Sequence, residues 1–362
     1  MSSTSNNEIK AIAIHLPQFH PIPENDAWWG KGFTEWTNVT KAKPLFDGHY
    51  QPHLPTDLGF YDLRLEEARV AQAELAEAYG IYGFCYYHYW FNSRRLLNRP
   101  LDDMLKTKTP NFPFMLCWAN ENWTRKWDGL ENEILMKQEY SAEDDKNHIN
   151  FLCKHFFSDD RYIRKDGKPF FLIYKPALFP DIEKTITTWR EEARKCGTGE
   201  LYLGYMKSFS SENNPLYAGF DCAVDFQPNF SLPPGLTIKT LIEKVKRRLG
   251  VPLRIYGRNH LFSYRKYVDL MIKIRSKKNG LIPGITPGWD NSARRNPGAF
   301  IFRDANPDDY SRWLAAIKNS VDRDSFLFIN AWNEWAEGNH LEPCIKWGRK
   351  YLEATRKILK NE

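Results

Sequence analysis

Ser325-Phe326-Leu327-Phe328-Ile329-Asn330-Ala331-Trp332-Asn333-Glu334-Trp335-Ala336-Glu337-Gly338 joins an unbroken apolar run to two carboxylates set among tryptophans. A short apolar run without alternation is what a strand covered on both faces requires. Seven further runs of this kind precede it: Ile9–His15, Ile81–Tyr87, Phe112–Trp118, Pro169–Tyr174, Leu201–Tyr205, Cys222–Phe226 and Leu281–Ile285. Helix-like segments follow most of them, among them Arg64–Ala78, Leu101–Lys106, Ala142–Phe157, Ile182–Lys195, Pro307–Val321 and Trp347–Leu359. Eight such units in 362 residues predict an α/β chain folded as a single (β/α)8 TIM barrel with long βα loops. A doubly wound sheet is the competing architecture, but no Gly-rich phosphate loop follows an early strand. Residues 1–7 are polar and are expected to be a disordered tail, leaving 8–362 as the barrel.

The composition is that of an ordinary soluble protein except in its aromatic share of 15%, with 13 Trp, which exceeds what core filling needs. The net charge of +6 comes largely from the stretch Lys244 to Lys278. That stretch reads either as a solvated helical face or as a weak contact for an anionic glycan, a lipid pyrophosphate or a membrane surface. No nucleic-acid motif accompanies it, so DNA and RNA are not expected partners. No stretch resembles a signal peptide or a membrane span. Cys85, Cys117, Cys153, Cys196, Cys222 and Cys344 show no CxxC spacing and are expected to be buried free thiols, which predicts a cytoplasmic location.

In a barrel of this kind the active site is built by the loops after each strand. Ten of the 13 tryptophans fall there: Trp28, Trp29, Trp36, Trp90, Trp118, Trp123, Trp127, Trp289, Trp332 and Trp335. Polar residues crowd the same strand ends. His15, Gln18 and His20 follow strand one with Glu35 beyond, and Tyr87 and His88 end strand two. Asn120 and Glu121 end strand three, Lys175 strand four, and Asp225 and Gln227 strand six; Asp290 and Arg294 follow strand seven. Aromatic faces beside carboxylates and hydrogen-bonding groups make a groove suited to sugar rings, with Glu334 and Glu337 as the acid/base pair and Asn333 just before them. Bracing of long loops against one another is the competing role for several of the tryptophans.

Other chemistries find less support. His49 and His53 stand four apart with Pro52 between them, so no metal is expected, and no cofactor motif or GxSxG elbow is present.

Trp28-Trp29-Gly30-Lys31-Gly32-Phe33-Thr34-Glu35-Trp36-Thr37-Asn38-Val39 resembles the opening signature of the WbsX family, in the glycoside hydrolase family 99-like group of bacterial polysaccharide loci. Cys117–Trp123 and Trp332–Gly338 are similar to that family as well. The resemblance implies a (β/α)8 barrel without a metal. Family 99 endo-acting α-mannosidases and mannanases use a Glu-x-x-Glu pair. Its first acid deprotonates the sugar 2-hydroxyl to give a 1,2-anhydro intermediate, and its second is the general acid/base. Carried across, those roles fall on Glu334 and Glu337. WbsX proteins are often labelled glycosyltransferases, so the direction of the reaction stays open.

The expected function is therefore a retaining glycoside hydrolase or transglycosidase acting on a bacterial polysaccharide. A glycosyltransferase of O-antigen or capsule biosynthesis is the second expectation, and a non-catalytic glycan-binding barrel the third.

Overall fold

The computed structural model describes residues 9–125, 130–207, 217–230, 245, 249, 259–275, 281–295, 297–322 and 324–360. The expected tail lies outside these residues, as do Trp127 and much of the basic stretch, namely residues 244–258 apart from 245 and 249, and residues 276–278.

The parallel strands are Lys10–His15, Gly83–Phe91, Phe114–Trp118, Lys168–Ile173, Tyr202–Lys207, Cys222–Asp225, the pair Leu281–Ile282 and Gly284–Ile285, and Phe326–Ile329. Each of the first six pairs with the next, and strand one pairs with strand eight in the register Lys10↔Phe326 to Ala13↔Ile329. Closure falls to the seventh run, whose two halves divide at Pro283. Leu281–Ile282 pairs with strand six, and Gly284–Ile285 with strand eight. Proline has no N–H to donate, so the ladder breaks there. Gly284 then has to be glycine, because a Cβ would stand 2.1 Å from the Asp225 carbonyl oxygen. The strands are buried almost throughout, which is why they read as unbroken apolar runs.

The helices cover the strands through one apolar stripe each. Glu66–Ala78, Arg99–Thr107, Ala142–His155, Ile182–Lys195, Tyr264–Arg275, Pro307–Lys318 and Lys350–Lys360 fall close to their expected places. Three carry side-chain caps, from Ser141, Asp181 and Asn306. The last helix begins three residues later than expected, since Gly348, at φ 53°, turns the chain after Trp347.

Strand two differs from expectation in a way that matters for the site. It runs to Phe91, four residues past Tyr87, because Asn92 and Ser93 adopt positive φ and turn the chain back as Arg94–Leu96. The first loop contains short helices at Pro23–Trp29 and Glu35–Lys41, and the third a hairpin of Trp123–Arg125 with Leu130–Met136. All six cysteines are free, but Cys196 is exposed rather than buried, standing just past the last turn of a surface helix. Of the basic residues in the described part of the patch, Arg265 is engaged by Asp309 at 3.3 Å.

Candidate active site

The loop after strand eight is clamped before it reaches its acids. The Trp332 amide donates to the Ile14 carbonyl at 2.8 Å. The Asn333 side chain accepts from the Leu16 amide at 2.7 Å and donates to the Leu16 carbonyl at 3.0 Å. Trp335–Glu337 then form a single 3-10 turn, so Glu334 and Glu337 stand at its two ends. Gly338 closes the turn at φ 55°, where a Cβ would lie 2.9 Å from the Cβ of Asp290. Glycine permits this backbone, and the Asp290 amide donates to the Glu337 carbonyl at 2.6 Å.

Asp290 in turn positions Arg294. Its carboxylate caps the Asn291–Ala293 turn through the Ser292 amide and accepts from His49 Nε2 at 2.6 Å and Gln51 Nε2 at 2.9 Å. His49 Nδ1 accepts from the Leu45 amide, which leaves Nε2 as the donor to Asp290. Burial opposes ionisation of the Asp290 carboxyl, but the hydrogen bond and electrostatic interaction with His49, with the Ser292 hydrogen bond, hold it below its ordinary value.

Arg294 meets three carboxylates. Its Nη1 donates to Glu337 at 2.7 Å, and its Nη2 to Glu35 at 2.6 Å and to Glu334 at 3.1 Å. Glu35 opens the helix Glu35–Lys41, is fully buried, and accepts the Ala336 amide at 2.9 Å with the same oxygen that takes Arg294. One guanidinium cannot neutralise three acids. Burial, followed by the charge of Glu337, pushes Glu334 well above the ordinary carboxyl range, against the pull of Arg294. Burial pushes Glu337 up to about 7, with Arg294 opposing and Glu35 adding. Such a pair holds a proton near neutrality as a unit.

The two acids line an open cavity of about 210 Å³ at the barrel mouth. Its lining is largely aromatic, with Trp28, Trp29, Trp123, Tyr87, Tyr89, Tyr174, Phe226 and Trp289 around it. Trp123 packs edge-on to Trp28 at 5.4 Å and against Tyr89 at 5.3 Å. Glu121 also lines the cavity and is paired with Lys175 at 2.5 Å.

Of the expected site residues, Glu334, Glu337, Glu121, Trp123, Trp289 and Arg294 come together here. Glu35 stands directly behind them. Others brace the wall. Trp36 donates to the Tyr61 carbonyl and packs on Trp335, Trp335 itself stacks on His340 at 3.8 Å, and Trp332 is fully buried against Phe84. Asn333 and Asn120 are spent on backbone clamps, Asn120 on that of Lys175. Gln227 accepts from Tyr267, and Asp290 is engaged as described.

His15, His88, Trp90 and Trp118 point away from the cavity. His15 hydrogen-bonds Gln72, and burial lowers it to about 3. His88 meets His148 at 3.0 Å, Trp90 donates to Asp144, and Trp118 donates to the Trp90 carbonyl. Alternation explains the division. In a strand reaching Phe91, Tyr87, Tyr89 and Phe91 share one face and His88 and Trp90 the other. Ending the strand at Tyr87 hid that signal, and Tyr89, Tyr174 and Phe226 were missed.

Among the described residues, no group of three or more His, Cys, Asp or Glu side chains could hold a metal ion. His49 and His53 diverge, His49 to Asp290 and His53 to His340 at 3.0 Å. Among the described residues no helix is long and apolar enough to cross a membrane.

The fold resembles solved carbohydrate-enzyme barrels. A glycoside hydrolase-like protein superposes with a TM-score of 0.63 at 15% identity, covering 98% of this chain and 94% of its own. The GH99 endo-alpha-mannosidase of Bacteroides thetaiotaomicron, in complex with bis-tris propane, gives 0.59 at 14% identity, covering 99% and 98%. At these identities the likeness shows the fold. Two curated relatives, both the uncharacterized protein WxcX of Xanthomonas campestris pv. campestris, in strains B100 and ATCC 33913, are 42% identical over 353 residues. The match covers 96% of this chain but 49% of theirs, so the chain spans about half the length of these relatives. A family model described as glycosyltransferase WbsX matches residues 11–355. The chain belongs to the WbsX family.

Proposed function

We propose that this chain is a carbohydrate-active enzyme, a retaining glycoside hydrolase or transglycosidase acting on a bacterial polysaccharide, with Glu334 and Glu337 as its working pair. One observation carries the reading: a buried acid, Glu334, and a partly exposed one, Glu337, end a single turn, share one guanidinium, and open into an aromatic-walled cavity. The aromatic faces suit the apolar faces of pyranose rings, and the shared proton suits a leaving group that must be protonated as it departs.

In the proposed course, Glu337 gives its proton to the glycosidic oxygen while Glu334 takes the proton of the sugar 2-hydroxyl. O2 closes on C1 as the C1–O bond breaks, leaving a 1,2-anhydro sugar. Glu337, now ionised, deprotonates a water or an acceptor hydroxyl that opens the ring at C1, and Glu334 returns its proton to O2. Two displacements at C1 give net retention. Loss of solvation raises both acids in the resting pair. A 2-hydroxyl donating to Glu334 selects the arrangement in which Glu337 keeps the proton.

A glycosyltransferase is the second reading, favoured by the family's description. The cavity's charged lining weighs against it, because Glu334 and Glu337 beside an Arg294 already engaged by three carboxylates repel a nucleotide diphosphate. Incubation with purified bacterial O-polysaccharides and capsular polysaccharides, with and without nucleotide sugars, separates the two. New reducing ends without nucleotide sugar are expected. Turnover that requires a nucleotide sugar decides for transfer, and saturable binding without turnover for a binding barrel.

A further inference from the structure

We propose that Glu35 is the positioning residue of the acid pair: wedged between Arg294 and the Ala336 amide, its carboxylate takes up the guanidinium charge so that Glu334 and Glu337 keep a shared proton. This rests on the reading of those two acids as the working pair.

The geometry ranks the three claims on Arg294. Glu35 makes the shortest contact, 2.6 Å, and shares Nη2 with Glu334, which sits farther off at 3.1 Å. The same Glu35 oxygen accepts the amide of Ala336, the residue between the two acids' ends of the turn. Glu35 thus holds both the backbone that carries the pair and the cation that would otherwise ionise it. It sits outside the cavity lining and is fully buried, so it acts through Arg294 rather than on a sugar. Were its charge removed, more of the guanidinium charge would act on Glu334 and Glu337, and the pair would release its proton at lower pH.

Among the described residues, the other ionisable groups near the pair are neutral or have partners of their own. Tyr87, Tyr89 and Tyr174 face the acids across the cavity and are kept neutral by burial. Glu121 is matched by Lys175. Asp290, beneath Glu337, is satisfied by His49, Gln51 and the Ser292 amide. Glu342, behind the loop, is enclosed by its own donors.

Glu35→Gln tests the idea, since the amide oxygen still accepts from Arg294 and Ala336 while the charge is gone. Protein labelled with 13C at the glutamate carboxyls is titrated by NMR, and the two resonances are assigned with Glu334→Gln and Glu337→Gln. In the native chain the pair is expected to titrate near neutrality. In Glu35→Gln the midpoint should fall by about one pH unit or more, about a fivefold loss of protonated pair at pH 7. Glu35→Asp keeps the charge and should keep the midpoint high. An unchanged midpoint in Glu35→Gln overturns the proposal. An equal fall in Glu35→Asp also overturns it, because the effect would then follow side-chain length rather than charge. No substrate is involved, so a shift without polysaccharide turnover would count against the proposed function alone.

Discussion

Glu337 and Glu342 lie five residues apart on the same loop, and loss of solvation pushes both carboxyls up to about 7, although Glu337 keeps 19% of its side chain exposed where Glu342 is buried. Their surroundings differ in kind. Glu342 is enclosed by donors: Tyr61 Oη at 2.9 Å and Trp335 Nε1 at 2.5 Å on one oxygen, and Gln72 Nε2 at 2.7 Å on the other. Behind Gln72 stands His15, and His340 Nδ1 donates to the Glu342 carbonyl at 2.8 Å. Glu337 instead faces the cavity beside Glu334, with a single side-chain cation between them. A raised carboxyl therefore does not mark a working acid by itself. Access to the cavity and a partner acid do, while the enclosed acid fastens the loop from behind.

The largest effects should separate the front of the loop from its back. Glu334→Gln and Glu337→Gln are each expected to lower polysaccharide turnover by about a thousandfold or more with the fold intact, whereas Glu342→Gln should leave it within about tenfold. Steady-state rates on one polysaccharide decide this, and equal losses in all three would erase the distinction.

The same contrast holds among the tryptophans. Trp332→Ala, in the wall, should cost on the order of 3–5 kcal/mol of stability by denaturant unfolding. Trp289→Ala, at the cavity, should cost far less than that, and a comparable loss would place Trp289 in the core.

Glu342 also predicts a pH dependence of stability. Its folded value near 7 lies above the ordinary 4.5. The folded state therefore binds the extra proton, and stability is greatest below pH 4.5 and declines as pH rises through 7. The decline attributable to Glu342 is on the order of 3 kcal/mol. Glu342→Gln should flatten that part of the stability curve between pH 5 and 7.5, and an unaltered slope would show that the charge is not buried at that cost. The smallest effect belongs to the cavity rings. Trp123→Ala and Trp289→Ala should each weaken glycan binding by about tenfold, roughly 1.4 kcal/mol, as read by calorimetry.

Much of this was legible in the chain. The barrel could be read because strands covered on both faces leave unbroken apolar runs, and the last of them leads straight into Glu334 and Glu337. What local pattern could not give was the set of contacts made across distance. Arg294 and Glu35 lie 259 positions apart, and only the closed barrel brings them together. Trp36, Trp118, Trp332 and Trp335 carry the composition of a sugar site but spend it on packing. Tyr89 and Phe91 went unread because the strand was ended before the turn at Asn92 and Ser93. Six of the basic residues expected to form a surface patch, Lys244, Lys246, Arg247, Arg248, Arg254 and Arg258, lie outside the described residues.

The anomeric configuration of the first product, followed by 1H NMR on a polysaccharide the enzyme cleaves, tests the central claim most directly. A pair of carboxyls that closes a 1,2-anhydro sugar and reopens it must release the new reducing end with the configuration of the bond that was broken. Retention at the earliest time points is the predicted result. A product that first appears inverted, and only later mutarotates, would mean that water attacks C1 directly and that Glu334 and Glu337 do not work as proposed.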